Sequence, residues 1–301
     1  MDVVVSGSSG LIGRALIPAL SAAGHRPIRL VRAEPAAGRD EVRWQPAEGR
    51  IDRASLEGVG AVIHLAGAGI GDKRWNAAYK QILVRSRTQS TELLATTLAG
   101  LERKPQCLLS GSAIGFYGNR GDEILTEQSA PGQGFLTQLT IDWEASAQPA
   151  IDAGIRTMFL RTGIVLSADG GALAKMLPLF KLGLGGRFGS GRQYLSWIAL
   201  DDEVGAIVHL LASVVNGPVN LTAPNPVTNA SFTKALGSVL GRPTLLPVPA
   251  LGPKLLLGSE MAQSLLFDSQ RVQPEELKAD GYPFAHSDIE SGLRAATTAR
   301  K

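Results

Sequence analysis

The sequence predicts an α/β protein built on a parallel sheet, and three features of its 301 residues indicate this fold class. Short apolar and β-branched runs alternate with longer stretches of helical periodicity over the first two-thirds of the chain. The first run leads directly into a glycine-rich turn and a helix pattern. Hydrophobic residues make up 44% of the chain, which is enough for a large core.

Six segments are predicted to be strands of this sheet. Buried parallel strands are continuously apolar, as Val3-Val4-Val5 and Ala61-Val62-Ile63 are. The predicted strands, in chain order, are Asp2–Ser6, Pro27–Val31, Glu41–Trp44, Ala61–Leu65, Cys107–Ser110 and Thr157–Leu160. With helices between them, these strands form a Rossmann-type, doubly wound parallel sheet.

Helices are predicted where apolar residues recur at helical spacing. Arg14–Ala23 follows the glycine turn, and Asn76–Gly100 follows the fourth strand. Gln138–Ala153 ends at Gly154, a residue type that suits a helix C-terminus.

The character of the sequence changes beyond about Leu166, where glycines and prolines become frequent. We therefore predict a first domain over residues 1–225, with substrate-lobe insertions from about residue 166. A smaller C-terminal lobe follows over residues 226–301, with helices at Phe232–Leu240 and Lys254–Phe267. This lobe is expected to help form a pocket for a small-molecule substrate.

Composition and charge argue against several classes of function. The net charge is +3, and no block of like charge marks a nucleic-acid or lipid surface. Cys107 is the only cysteine, which excludes an internal disulfide and favours a reducing, cytoplasmic location. The four histidines lack the spacing of a zinc site, and neither a signal peptide nor a membrane-spanning run is recognisable. We expect no metal site and no membrane or nucleic-acid partner.

The turn Gly7-Ser8-Ser9-Gly10-Leu11-Ile12-Gly13 connects the first strand to the first helix. Glycines at its first, fourth and seventh positions let the backbone bend sharply and approach a pyrophosphate without a Cβ in the way. The amides at the start of the helix then face the phosphates. In this context the turn predicts a dinucleotide-binding site.

Arg32, at the end of the second strand, indicates which dinucleotide is bound. An NAD site usually carries an acidic residue there, whereas a guanidinium offers forked donors to a 2′-phosphate. Arg29 is placed to assist it. These residues predict NADP(H), and the alternative is that Arg32 is a solvated arginine paired with Glu34.

Short motifs along the chain resemble the extended short-chain dehydrogenase/reductase superfamily. Besides the glycine turn, these are His64-Leu65-Ala66-Gly67 and Ser110-Gly111-Ser112, each at a strand end. Further stretches are similar to the family named for nucleoside-diphosphate-sugar epimerases, including its small C-terminal domain: Asp72–Trp75, Ser112–Gly118, Leu160–Leu166, Gly189–Gln193, Pro226–Asn229, Phe232–Leu236 and Pro247–Pro249. The resemblance covers nearly the whole chain.

The resemblance implies cofactor contacts beyond the glycine turn. Ala66 and Gly67 would lie along the cofactor ribose, and Leu65 and Ser110 would also belong to the cofactor-binding residues. Gly163 and Ile164 would border the nicotinamide. The activity it implies is that of an NADP(H)-dependent oxidoreductase or epimerase acting on a carbonyl or nucleotide-sugar-like compound.

One expected feature of that superfamily is missing from this chain. Its enzymes usually place a lysine four residues after a tyrosine, where the ammonium lowers the pKa of the phenol for proton transfer. The residues four positions after the four tyrosines are Leu83, Gly121, Ile198 and His286. Counting back from Glu144, the pair would fall at Leu136 and Thr140, and neither residue transfers protons in that role.

Two hypotheses about function follow. In the first, Ser112 and Tyr117 are catalytic hydrogen-bond donors to the substrate, while a different acid or water supplies the proton. In the second, the protein binds NADP(H) without turnover, as a regulatory or scaffold module. A cluster of basic residues has two interpretations: it binds a phosphorylated substrate, or it is a solvated helix face. Its members are Lys73, Arg74, Lys80, Arg85 and Arg87.

Overall fold

The computed structural model describes residues 1–298, which form two compact units. The first contains residues 1–112, 138–160 and 204–219, and the second contains residues 113–137, 161–203 and 220–298. Each unit is thus assembled from separated stretches of sequence. The continuous domains proposed above, 1–225 and 226–301, stay a prediction, and residues 299–301 lie outside the described part.

An eight-stranded sheet is the framework of the first unit, and it confirms the predicted Rossmann-type α/β fold. Its spatial order is β12-β8-β6-β5-β1-β2-β3-β4. The bounds are β1 Asp2–Ser6, β2 Arg26–Val31, β3 Glu41–Gln45, β4 Arg50–Ile51, β5 Ala61–His64, β6 Cys107–Ala113, β8 Arg156–Thr162 and β12 Gly217–Leu221. All six predicted strands are present, with their ends displaced by at most three residues.

The direction in which the chain crosses the sheet changes at β1. This strand pairs in parallel with β2 on one side and β5 on the other, with Val5 opposite Arg29 and Ile63. In doubly wound sheets, ligands bind outside the carboxyl ends of the strands at such a switch point. The glycine turn after β1 and residues 65–67 after β5 meet at this position.

The helices that belong wholly or mainly to the first unit cover the sheet. They are α1 Leu11–Ala22, α2 Ala77–Ala99, α3 Phe135–Ala145, α4 Gln148–Asp152 and α6 Leu200–Ala212. The prediction of one continuous helix over Gln138–Ala153 is wrong, because the chain leaves the helix between α3 and α4. Pro149 lacks the N–H that would continue the α3 ladder, and it lies in the first turn of α4, where prolines are tolerated.

Leucines of α2 pack on the apolar strands and form the core behind the switch point. Leu94 and Leu98 lie in one buried cluster with Val4, Val62 and Leu108 of three adjacent strands. Complete burial of such a side chain stabilises the fold by about 1.5–3 kcal/mol. The strand ends that carry the polar residues are therefore held by a rigid core.

The second unit contains three two-stranded sheets, β10-β13, β11-β9 and β14-β7. Its remaining elements are β7 Ile124–Leu125, β9 Ile164–Leu166, β10 Tyr194–Leu195, β11 Trp197–Ala199, β13 Val227–Thr228, β14 Arg271–Val272, α5 Gly171–Lys181, α7 Asn229–Leu240, α8 Leu251–Leu257, α9 Ser259–Ala262, α10 Glu275–Ala279 and α11 Ile289–Thr297. Trp197, Phe232, Leu236 and Leu293 anchor its core.

The predicted helix Lys254–Phe267 is not continuous. It consists of α8, α9 and a π-helical turn over Gln263–Phe267. Gly258, with φ of +90°, ends α8 in a conformation that side-chain-bearing residues rarely adopt. Across residues 1–298, no helix combines the length and apolar character needed to cross a bilayer.

Candidate nucleotide site and neighbouring polar groups

The glycine turn is packed so closely that side chains are excluded from it. Gly7 has φ of +70°, and a Cβ there would lie 2.7 Å from the carbonyl carbon of Leu65. A Cβ on Gly13 would overlap the Gly7 carbonyl oxygen and lie 2.7 Å from Ser8 Cα. The turn after β1 therefore rests directly on the end of β5.

Helix α1 begins without a side-chain cap. Its N-cap residue is Gly10, whose N–H donates to the Gly7 carbonyl oxygen over 2.9 Å. The first-turn N–H groups of an α-helix have no intrahelical acceptor. The backbone geometry thus fits a phosphate-bearing group at this helix end.

Arg29 on β2 connects the turn to the second strand. Its Nε–H donates to Ser8 Oγ over 3.1 Å, and its Nη1 lies 3.2 Å from the Glu41 carboxylate. Arg32, the residue after the end of β2, is exposed. Glu34 forms an ion pair with Arg43. Glu34 is therefore not the partner of Arg32, and the choice between a cofactor contact and a solvated arginine stays open at this position.

A buried hydrogen-bond chain fixes the strand end that carries Leu65 and Ala66. The N–H groups of both residues donate to Ser6 Oγ, at 3.2 and 3.3 Å. Ser6 Oγ lies 2.6 Å from His64 Nδ1, and Ser90 Oγ lies 3.2 Å from His64 Nε2. Because Ser6 Oγ already accepts two hydrogen bonds, its O–H donates to His64 Nδ1, so the imidazole N–H is on Nε2.

His64 is therefore a structural group and not a base. Complete burial lowers the pKa of His64 to about 4, so the imidazole is neutral near pH 7. Its ring also packs edge-on against Trp44, with 5.9 Å between ring centroids.

Ser112, at the end of β6, contacts a carboxylate that sequence reasoning did not single out. Its Oγ–H donates to Glu144 Oε1 on α3 over 2.6 Å. Ser110, two residues earlier, is fully buried. The position expected to carry a catalytic lysine holds Thr140, which is also buried. No short-range pattern links Ser112 to Glu144, because 32 residues separate them.

Tyr117 lies in the second unit, where its hydroxyl belongs to an internal network. The phenol is completely buried, donates to Asn220 Oδ1 over 2.7 Å and accepts from Arg161 Nη1 over 3.1 Å. The Arg161 guanidinium also lies 3.5 Å from the centre of the Phe116 ring. Burial is the largest effect on Tyr117 and raises its pKa.

Gly163 and Ile164 also lie in the second unit, at the junction of β8 and β9. A Cβ on Gly163 would come 2.7 Å from the Ser196 carbonyl oxygen, so tight strand packing alone requires glycine here. Ile164 N–H donates to the same Ser196 oxygen over 2.8 Å. The roles of these two residues in cofactor binding stay a prediction.

Glu203 in the first turn of α6 is a buried acid in the second unit. Thr162 Oγ1 donates to its Oε1 over 2.9 Å, and its Oε2 has no hydrogen-bond partner. Burial raises the pKa of Glu203 to about 8, so the carboxyl group is mostly protonated at neutral pH.

We expect the free energy of unfolding to fall as the pH rises from about 4.5 to about 8, by at most about 1.4 kcal/mol per pH unit. In this window the folded protein holds the Glu203 proton, while the unfolded chain, with a pKa near 4.5, has released it. Urea denaturation of the unmodified protein and Glu203→Gln at pH 5 and pH 8 measures the effect. The variant should show a flatter dependence, and equal slopes would contradict the assignment.

No group of three or more potential metal ligands clusters within residues 1–298. In the first unit, the uncapped start of α1 fits a phosphate-bearing group, and a direct hydrogen bond joins the Ser112 hydroxyl to the Glu144 carboxylate.

Comparisons with known proteins identify the family. Residues 3–222 match the family model described as the NAD dependent epimerase/dehydratase family, and residues 248–296 match a domain of unknown function, DUF1731. Epimerase family protein Mb2239 of Mycobacterium bovis is 46% identical over 297 residues, which is 98% of this chain and 97% of that protein.

Two crystal structures share the fold. One is human epimerase family protein SDR39U1 (isoform2) with NADPH, with a TM-score of 0.89, 31% identity and coverage of 98% of this chain and 99% of that chain. The other is the nucleoside-diphosphate sugar epimerase from Corynebacterium glutamicum, with a TM-score of 0.78, 38% identity and coverage of 98% of this chain and 58% of that chain.

Proposed function

We propose, on the premise that this chain belongs to the NAD dependent epimerase/dehydratase family, that it is an NADP(H)-dependent oxidoreductase or epimerase. Its substrate would be a carbonyl or nucleotide-sugar-like compound. The observation that carries the proposal is the side-chain-free turn after β1, which rests on the end of β5 and opens an uncapped helix. The proposed cofactor contacts are those named from the sequence: Gly7 to Gly13, Arg32, Leu65, Ala66, Gly67, Ser110, Gly163 and Ile164.

The preference for NADP(H) over NAD(H) rests on the end of β2. Arg32 is exposed and has no ion-pair partner in the described chain, and Arg29 reaches Ser8 of the glycine turn. A guanidinium in this position offers two parallel donors to a 2′-phosphate. The NADPH in the related human structure supports the same choice.

Arg32→Asp is expected to weaken NADPH binding by about tenfold to a hundredfold and to leave NADH binding nearly unchanged. The reason is that a charge-assisted contact is worth roughly 1.5–3 kcal/mol. Isothermal titration calorimetry with both cofactors measures the change. Arg50→Asp, an equal change of charge at an exposed arginine on β4, is the control. An unchanged NADPH affinity in Arg32→Asp would contradict the assignment.

NADP(H), when bound, supplies hydride chemistry at a substrate carbon. The proton is the task of the chain's own residues, and we assign it to Ser112 and Glu144. Ser112 Oγ accepts the proton of a substrate hydroxyl while its own proton passes along the 2.6 Å hydrogen bond to Glu144. In the reverse direction, protonated Glu144 returns the proton through Ser112 to the substrate oxygen. This pair would replace the absent tyrosine and lysine.

Tyr117 remains part of the proposal as a hydrogen-bond donor to the substrate. Its contact with substrate requires the hydroxyl to exchange its bond to Asn220 for one to the substrate oxygen.

The Tyr117 hydroxyl is already hydrogen-bonded to Asn220 and Arg161. This observation favours a second candidate function, that of a regulatory protein that binds NADP(H) without turnover. A screen of carbonyl compounds and nucleotide sugars, following NADPH absorbance at 340 nm and the products by mass spectrometry, distinguishes the two candidates. Turnover of any compound supports the enzyme. NADPH binding with no turnover across the screen would favour the regulatory protein.

A further inference from the structure

Arg87 on α2 lies beside the strand-end loop that follows β5. If Gly67 carried a Cβ, that atom would be 3.4 Å from the Arg87 guanidinium carbon. The side chain is partly buried, and this burial lowers the pKa of Arg87 to about 10, which leaves it fully charged at neutral pH. A cation is thus held against a loop proposed to contact the cofactor.

The protein uses little of the hydrogen-bonding capacity of this guanidinium. Nη1 donates to the Leu83 carbonyl oxygen, one helical turn earlier, over 3.1 Å. A guanidinium has five N–H donors. Within residues 1–298, no carboxylate forms an ion pair with Arg87.

The indole of Trp143 fixes the position of the guanidinium. Arg87 Cζ lies 5.0 Å from the centre of this ring, within the range of a cation–π contact. The ring is itself held, because Trp143 Nε1–H donates to Thr91 Oγ1 over 3.0 Å. Leu83, Arg87 and Thr91 are spaced by four residues on α2, so all three side chains lie on one face of the helix.

Arg85, two residues earlier on α2, differs from Arg87 in its exposure to solvent. It is exposed, whereas Arg87 is drawn inward onto Trp143. The basic residues of this region are therefore not one solvated face. A partly desolvated cation with no protein counter-ion is costly to retain unless a ligand supplies the opposite charge.

We propose that Arg87 binds an oxyanion, a carboxylate or a phosphate, on the substrate that reacts beside the Leu65–Gly67 loop. The inference rests on the proposed function and narrows its substrate class to anionic compounds. The forked guanidinium provides parallel donors that match both oxyanions, and its contact with the buried Trp143 ring fixes their orientation.

The test uses protein saturated with NADP+, which occupies the glycine turn, and two small anions as probes, inorganic phosphate and pyruvate. Acetone, which lacks the carboxylate of pyruvate, is the neutral probe. The ¹⁵Nε–H signal of Arg87, assigned by its loss in Arg87→Gln, is followed during each titration. We expect a saturable shift with at least one anion and none with acetone.

Arg87→Gln should weaken binding of that anion at least tenfold, as measured by ligand-observed NMR, and should change the NADP+ dissociation constant less than twofold. Arg85→Gln should change neither. Arg87→Lys keeps the charge but lacks the two parallel N–H donors, so its loss of anion affinity should be intermediate. This variant replaces Arg87→Gln in the test if the glutamine variant fails to fold. The stronger of the two anions identifies the ligand group as carboxylate or phosphate.

Three results would overturn the inference. One is that neither anion shifts the Arg87 signal, and another is that Arg85→Gln weakens the anion as much as Arg87→Gln does. The third is an equal loss of NADP+ and anion affinity in Arg87→Gln, which would assign the guanidinium to the cofactor. If the unmodified protein binds no NADP+, the proposed function fails, and the Arg87 signal in unloaded protein still decides the anion site.

Discussion

Gly10→Val is expected to weaken NADPH binding by at least about a hundredfold while the fold survives. Gly10 has φ of −73° and ψ of 177°, which any residue adopts, and a Cβ there would meet only the Gly7 carbonyl oxygen at 3.2 Å. The dihedral angles therefore permit a side chain once the Gly7 carbonyl oxygen shifts by a few tenths of an ångström. The two methyl groups of valine would then fill the concave side of the turn that a pyrophosphate must approach. Calorimetry with NADPH and circular dichroism separate binding from folding.

The matched control is Gly252→Ala, because a Cβ at that position meets no atom within 4 Å. It should bind NADPH like the unmodified protein. Gly13 is unsuitable for this test, since a Cβ there would overlap the backbone of the turn and unfold it locally. A folded Gly10→Val protein with normal NADPH affinity would show that the turn does not hold the cofactor.

Glu144→Gln is expected to lower turnover by about a hundredfold to ten-thousandfold on a substrate found in the screen, which is the usual contribution of general acid–base catalysis. The amide keeps an acceptor for Ser112 but cannot take up or release a proton. NADPH affinity should stay within about twofold, because Glu144 is not among the proposed cofactor contacts. Steady-state kinetics of the variant and the unmodified protein at one pH measure kcat.

Ser112→Ala should produce a loss of similar size, since it breaks the path between substrate and Glu144. Combining it with Glu144→Gln should add little, because both changes remove one relay. Glu92→Gln, at an exposed position of α2, is the control. If Glu144→Gln kept full turnover, the proton would have to come from another group.

The sequence predicted the parallel sheet well because its signals are local. Val3-Val4-Val5 and Ala61-Val62-Ile63 are continuously apolar, as doubly buried strands must be, and both lie in the centre of the sheet. The close packing of the glycine turn was also predictable, because a strand, a short turn and a helix in succession require glycine at positions 7 and 13.

Features that depend on distant residues could not be read in the same way. The Ser112–Glu144 pair and the stacking of Arg87 on Trp143 arise because α3 packs beside the end of β6 and against α2. In sequence, Arg87 resembles Arg85, and only packing separates the inward residue from the exposed one. The break between α3 and α4 could have been predicted from Pro149, because a proline interrupts the helical hydrogen-bond ladder. The prediction of one helix followed the apolar periodicity, which continues across the break.

The cofactor preference of the unmodified protein tests the NADP(H) site most directly. Isothermal titration calorimetry with NADPH and NADH, in the same buffer and at one salt concentration, measures it. We predict one site per chain, with NADPH bound at least tenfold more tightly than NADH because of the Arg32 guanidinium at the end of β2. Equal affinities would contradict the NADP(H) assignment, and binding of neither cofactor would contradict the proposed function as a whole.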